Sequence, residues 1–360
     1  MHDGADEQAL AVFDIGGTWF RSGLYSPSAG LRDTQRMPAI NYLTYPSLSA
    51  EELQTALADF LVDRVQELRR ISLTDINRAG VALGAPINAH NLTVLGSGPL
   101  WGPTAQPFHL VDRLHESLPD CKWLIVNDVT ALLAPYMDHD AARRRTMLIT
   151  VSSGIGSRLY DHRTRTIPYE PTYGVQGEIG HLAVTFELDG HIVNRQCECG
   201  GWNHINAFSS GRGIAQLLRD LPKLTSSFDR ICGSDAGTWT HATDHYRLTA
   251  FQSRIEEGDT AAATLLDAFV TPLSRALAAA LSLDPEIDRI VITGGVAQGL
   301  GEHYREALRR RFVQDGLYQI TDRDPDYLTR RLRWDPSDDY AGLRGAGIFA
   351  ASAGTASIRN

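Results

Sequence analysis

The sequence predicts an α/β protein built from two domains, and three observations carry that prediction. An apolar, strand-like run ending in a glycine turn that bears Ser or Thr occurs three times, at 14–18, 150–156 and 292–296. Runs with helical apolar spacing lie between these strands. A charged segment, 138–145, interrupts the pattern and marks a boundary, giving an N-terminal domain over 1–138 and a C-terminal domain over 139–340.

The elements follow in order. Residues 9–15 form a short apolar run closing on Asp14-Ile15-Gly16-Gly17-Thr18, and 19–25 continue in strand-like composition, so strand, glycine turn, strand is the reading. Ser49-Ala-Glu-Glu52 fits a capping box, after which Leu53, Ala56, Leu57, Phe60, Leu61, Val65 and Leu68 recur at helical spacing. Residues 81–83 and 123–126 read as buried strands, each running into a polar or glycine-bearing loop. A second strand system begins at 147–151 and closes in Ser152-Ser153-Gly154-Ile155-Gly156. The longest helix candidate is 261–283, stopped by Asp284-Pro285. Residues 287–293 form another buried strand, which ends at Gly294-Gly295.

Composition sets bounds on function. With 360 residues, 43% hydrophobic and 21% charged, the chain can bury a sizeable core and has the make-up of a soluble enzyme. A net charge of −9 argues against binding a phosphate backbone. No apolar run approaches a membrane span, and the acidic start, 1–7, is unlike a signal peptide. A cytoplasmic protein with neither nucleic acid nor membrane as partner is expected. Cys121, Cys197, Cys199 and Cys232 are too few and too unevenly spaced for a disulfide framework.

Two constellations carry chemistry. Backbone amides in a glycine turn can converge on a phosphate, because glycine accepts the required dihedrals and has no side chain to block approach. The hydroxyls of Thr18, Ser152 and Ser153 could add donors. Neither G-x-x-x-x-G-K-[ST] nor G-x-G-x-x-G is present, which disfavours the P-loop and dinucleotide readings. The second constellation is His181, Cys197, Cys199 and His204. His-x15-Cys-x-Cys-x4-His suits a closed tetrahedral zinc site, which would fix the loop carrying Glu178.

Taken together, Asp14-Ile-Gly-Gly-Thr18, Asn127-Asp128, Thr150-Val-Ser-Ser-Gly-Ile-Gly156, Glu178-Ile-Gly-His181, the Cys197-x-Cys199-Gly run, Thr293-Gly-Gly295 and the closing Leu343-Arg-Gly-Ala-Gly347 resemble the ROK family of sugar kinases and repressors. The resemblance covers nearly the whole chain. It implies the actin-like, RNase H-like ATPase fold of hexokinases, with ATP and sugar meeting in a cleft between two α/β domains. It also implies that the C-terminal helix, about 341–360, completes the first domain, and that the protein works as a homo-oligomer, dimer or tetramer.

Roles follow from the same resemblance. Asp128 becomes the base that accepts the acceptor hydroxyl's proton; the competing reading is an N-cap for the segment starting at Val129. Asp14 would help hold magnesium through water while the Gly16, Gly17 and Thr18 amides face the phosphates, against the alternative of an Asx-turn that only shapes the loop. Gly154, Gly156, Gly294 and Gly295 would border the phosphates and adenosine of ATP. In the family a glycine is usual at Ser152 and a threonine at Ser153. Gly84, Asn127, Glu178 and His181 fall where relatives hold the sugar, and His181 also ligates zinc there.

Two departures in the zinc run stand out. His204 replaces a third cysteine, which preserves a tetrahedral site and leaves two thiolates to balance the ion's charge; the alternative is a surface histidine and no metal. Asn206 replaces a glutamate that accepts hydrogen bonds from ring hydroxyls. An amide can also donate, which points away from plain glucose and towards an acceptor carrying a carbonyl there. Pro86-Ile87 for Pro-Gly, and Gly98 before Trp101 where Asn is usual, point the same way, against compensated drift with glucose still bound.

The expected function is therefore an ATP-dependent kinase acting on the primary hydroxyl of glucose or of a valiolone-type seven-carbon cyclitol. N-acetylmannosamine or fructose kinase and an inactive sugar sensor are the alternatives. The repressor branch is disfavoured because only the residues before Asp14 are available for a DNA-binding domain.

Overall fold

The computed structural model describes residues 9–72, 75–102, 106–137, 142–232, 236–335 and 339–352. The acidic start, residues 138–141 of the expected boundary and 353–360 of the expected closing helix lie outside them. The chain divides into two compact units: Met1–Ala141 with Arg158–Gln176 and Ser337–Asn360, and Ala142–Ser157 with Gly177–Pro336.

The first unit is built on strands β1 (Leu10–Ile15), β2 (Trp19–Ser26), β3 (Gly30–Pro38), β4 (Arg78–Leu83) and β5 (Lys122–Asn127), in the order β3-β2-β1-β4-β5. β1 pairs antiparallel with β2 and parallel with β4, and β4 pairs parallel with β5. The register aligns Ile15 with Leu83 and Leu83 with Asn127. The three strands therefore end side by side, and the residues that follow them emerge at one edge, where α/β sheets place ligands.

The helix Ala50–Ile71 starts at the expected box: Ser49 Oγ accepts from the Glu52 N–H while the Glu52 carboxylate accepts from the Ser49 N–H. It buries Leu53, Leu57, Leu61, Val65 and Leu68, and the core they join includes Phe13 and Phe20 of the sheet. The helix Ala341–Ser352 packs on β1 and β4. Its glycines permit close approach: a Cβ on Gly345 would meet the Ala131 carbonyl, and one on Gly342 would lie 2.6 Å from the Asp14 carboxyl carbon.

The segment 158–176, placed in the second domain from the sequence, belongs to the first unit. Long-range bonds explain this: the Ala89 N–H donates to Pro171 O at 2.9 Å, and Arg158 Nε donates to Thr130 Oγ1 at 3.0 Å. Neither partner is legible from local pattern.

The second unit carries β6 (Arg145–Val151), the first three residues of β7 (Ile155–Asp161, whose remainder from Arg158 is counted with the first unit), a ribbon of β8 (Glu187–Leu188) and β9 (His191–Ile192), then β10 (Ile287–Thr293) and β11 (Leu332–Trp334). The main sheet runs β11-β10-β6-β7, with β10 parallel to β6 and Thr293 aligned with Thr150. That register brings the second and third glycine turns together.

The helix Thr260–Leu283 begins at Asp259, whose carboxylate accepts from the Ala261 and Ala262 N–H groups. By length and composition alone it could cross a membrane, although no uninterrupted apolar run of that length stands in the sequence. Its Leu265, Leu266, Phe269, Val270, Leu273 and Leu277 are instead buried, and Phe269 packs beside Phe186 and Phe251. An Ala- and Leu-rich core helix reaches membrane-like hydropathy because it is buried against other helices on much of its surface.

Candidate active site

Asp128 and Asp14 stand at the strand ends of the first unit. The register puts Asp128 and Gly84 one residue beyond their aligned strands, and a Cβ on Gly84 would lie 3.4 Å from Asp128 Oδ2. The N-cap of the helix Asp128–Leu133 is Asn127, whose Oδ1 accepts from the Val129 and Thr130 N–H groups at 3.0 and 3.3 Å. Asn127 Nδ2 donates to Ala85 O. Asn127 thus performs the capping considered for Asp128 and holds Asp128 in the first helical turn. Asp128 Oδ1 accepts from Val129 N–H at 2.8 Å. Burial raises its carboxyl above the usual carboxylate range, opposed by that hydrogen bond and by the charge of Arg158.

Asp14 pairs with Arg21 at 3.2 Å. Burial pushes its carboxyl up to about 6, with Arg21 lowering it and Asp128 raising it. Two carboxylates near each other in a low-dielectric site are arranged to attract a cation. In the turn after Asp14, the Gly16 N–H is turned back onto Trp19 O at 3.2 Å, so the amides of Gly17 and Thr18 are the ones to consider for phosphate. Asn41 supports this turn: its Nδ2 donates to Gly17 O at 2.9 Å while its Oδ1 accepts from Leu43 and Thr44.

In the second unit a cavity of about 340 Å³ opens at the second and third turns, bordered by Ser152, Ser153 and Gly295. Gly294 has φ +101° and abuts Val151, where a side chain would collide with the backbone. It caps the helix Gly295–Asp315, whose first amides have no intrahelical partner and carry the positive end of the dipole. Ile214, Leu248, Phe251 and Leu300 give the cavity apolar walls, and Asp244 and Gln252 give it polar groups. Apolar walls with a few polar groups beside a helix N-terminus suit a flat ring attached to phosphates.

The four expected metal ligands converge in the same unit: one ligand atom each from His181, Cys197, Cys199 and His204 lie within 4.8 Å of one another. His181 Nδ1 is 3.4 Å from His204 Nδ1 and 4.0 Å from Cys197 Sγ, and Cys199 Sγ is 3.2 Å from His204 Nδ1. A tetrahedral zinc with nitrogen at about 2.1 Å and sulfur at about 2.3 Å separates its ligand atoms by about 3.4–3.8 Å. The set fits such an ion. Burial raises the Cys197 thiol, so a cation would displace protons on entering. Asn203 adopts φ +58°, a left-handed turn that asparagine tolerates, just before His204.

With Nδ1 facing the ligand cluster, His181 turns Nε2 towards Asn206, 3.5 Å from Asn206 Nδ2. Asn206 Oδ1 accepts from the Ile155 N–H at 2.8 Å, which fixes the amide with its NH2 outward. The side chain also lies against Gly180, where an added Cβ would be 2.6 Å from Oδ1. Asn206 therefore braces the second glycine turn and presents donors.

The sequence profile of the ROK family matches residues 10–353. The chain belongs to the ROK family. It is 38% identical over 354 residues to the 2-epi-5-epi-valiolone 7-kinase of Actinoplanes sp., covering 96% of this chain and 93% of that one. It is 30% identical over 349 residues to the C(7)-cyclitol 7-kinase of Streptomyces hygroscopicus subsp. limoneus, covering 95% and 94%. The ROK glucokinase of Streptomyces griseus, solved with glucose and AMPPNP, superposes with a TM-score of 0.68 at 17% identity, covering 96% of this chain and 99% of that one. The fold is that of the hexokinase-type, actin-like ATPases, as the motifs implied.

Against the ROK pattern, the structure groups Asp14, Gly84, Asn127 and Asp128 at one sheet edge, and Ser152, Ser153 and Gly295 around one cavity. Glu178, exposed, opens the short 3-10 turn Ile179–His181. Sequence reasoning missed Asn41, Arg21, Arg158 and the cavity residues Phe251 and Gln252. The helical spacing of Leu248, Phe251 and Ile255 was the available signal for the last pair. Arg21 meets Asp14 across the β1-β2 hairpin, whereas Asn41 and Arg158 make contacts distant in sequence.

Proposed function

We propose that this ROK chain is an ATP-dependent kinase that phosphorylates the primary hydroxyl of a valiolone-type seven-carbon cyclitol. The observation that carries the choice of acceptor is the orientation of Asn206. Its oxygen is held by the Ile155 amide, so it offers N–H donors beside His181 Nε2. A metal on Nδ1 would leave the His181 N–H at Nε2, which would then donate as well. A pair of donors suits an oxygen that only accepts, such as a ring ketone. The cyclitol kinases among its relatives agree with this reading.

In this reading Asp128 takes the proton of the attacking hydroxyl. Asp14 would help hold the magnesium of ATP through water, Gly17 and Thr18 would meet phosphate oxygens, and the cavity at Ser152, Ser153 and Gly295 would take the nucleoside. Zinc at His181, Cys197, Cys199 and His204 would supply no chemistry but would fix the tautomer and direction of His181. Dependence on ATP gives the protein a cytoplasmic setting.

The test is acceptor-stimulated ADP release across a panel of glucose, N-acetylmannosamine, fructose and ketone-bearing C7 cyclitols. Wild type should prefer a ketone cyclitol, and Asn206→Glu should lose that preference by at least about tenfold, the scale of one misplaced buried hydrogen bond. Equal use of glucose by wild type, or an unchanged preference in the variant, refutes the acceptor assignment.

A further inference from the structure

Arg158 is 3% exposed. A guanidinium so enclosed needs hydrogen bonds and a nearby anion to offset its lost hydration. Its Nε donates to Thr130 Oγ1 at 3.0 Å, and a terminal nitrogen donates to the Gln176 carbonyl. Thr130 lies in the first turn of the helix Asp128–Leu133, two residues after the base. The guanidinium thus grips the turn that presents Asp128 and joins it to Gln176, at the end of the segment 158–176.

The charge matters as much as the grip. Asp128 has a second carboxylate, Asp14, as an electrostatic neighbour, and Arg21 is hydrogen-bonded to Asp14. Among the described residues, Arg158 is the cation that draws the Asp128 carboxyl down against the push of burial, and it acts in the same way on the Tyr169 phenol. Each carboxylate of the pair therefore has its own arginine. A base must be free of its proton when the acceptor hydroxyl attacks, and a buried carboxylate beside another carboxylate would otherwise tend to keep one.

We propose that Arg158 is a positioning residue for phosphoryl transfer: through Thr130 and Gln176 it fixes the turn bearing Asp128, and its charge maintains that carboxylate as the proton acceptor. The inference rests on the kinase reading above. Arg158 acts through Asp128 and touches no reacting atom in this account.

Arg158→Met, Arg158→Lys and Thr130→Val are compared with wild type by melting temperature and by steady-state kinetics on the preferred acceptor. Arg158→Met should lower kcat by about 100-fold, the lower range of a general base's contribution, with KM for ATP nearly unchanged. Arg158→Lys should recover at least about tenfold of that loss because it restores the charge without the fork. Thr130→Val, which keeps the cation, should lose only severalfold.

A Met variant with wild-type kcat, a Lys variant no better than Met, or a loss borne by KM would overturn the proposal. Should the Met variant fail to fold, the Lys variant decides: a kcat lowered by up to about tenfold with KM for ATP unchanged upholds the role, and either a wild-type kcat or activity as low as that of Asp128→Asn overturns it. If wild type shows no acceptor-stimulated ADP release, the kinase reading falls and this inference with it. An active wild type with an Arg158→Met variant that keeps its kcat removes this inference alone.

Discussion

Asp14→Asn probes the electrostatic cost held at the head of the first glycine turn. The Asp14 carboxyl is raised from 3.8 to about 6, chiefly by burial, and its side chain is only 16% exposed. Because the folded value lies above the unfolded one, the native state holds a proton between about pH 4 and 6 that the unfolded chain has released. The sign follows: stability falls as pH rises through this window and stays lower above it. At about 1.4 kcal/mol per unit, the shift amounts to roughly 3 kcal/mol at neutral pH. The value of about 6 already includes the lowering by Arg21, so asparagine, uncharged like the protonated acid, removes the whole of this cost. The net expectation is a gain of about 3 kcal/mol near pH 8 and little near pH 4, where Asp14 is already protonated. Thermal melts of both proteins, without nucleotide or magnesium, at the two pH values measure it. A stability difference that is the same at both pH values, or a loss near pH 8, would refute the reasoning. Kinase turnover should disappear at every pH, since the stabilised protein has lost the group expected to hold the magnesium of ATP.

Three further outcomes are expected. Asp128→Asn should reduce kcat by at least about 100-fold while melting temperature and metal content stay as in wild type, because Asn127 supplies the helix cap and is untouched; retained turnover removes the base assignment. Elemental analysis of protein purified without chelator should find one zinc per chain, with Cys199→Ser reducing it strongly and raising the acceptor KM more than the KM for ATP, whereas metal-free wild type with full activity would refute the ligand set. Gly345→Ala should cost about 2–4 kcal/mol of stability, since its Cβ would meet the Ala131 carbonyl; a change below about 0.5 kcal/mol in chemical denaturation would show that the helix docks more loosely than described.

Much of the site was legible because its chemistry is written in short, ordered motifs. The box at Ser49 and the cap at Asp259 were also legible, since capping is a matter of residues within three or four positions. The sequence singled out Asp128 as the candidate base, but not its neighbour's part. Only the folded turn shows Asn127 Oδ1 on the Val129 and Thr130 amides and so assigns the cap to Asn127 rather than Asp128. The segment 158–176 was placed in the wrong unit because its partners, Thr130 and Ala89, lie far along the chain.

Local spacing along the chain was enough for the strand–turn periodicity, the family motifs and the four side chains able to hold a metal. Tertiary structure alone decided which way the Asn206 amide faces, since that follows from one bond to an amide 51 positions away. It also decided which arginine answers which carboxylate. Charge pairing depends on distance through space, and the chain's order does not encode that distance.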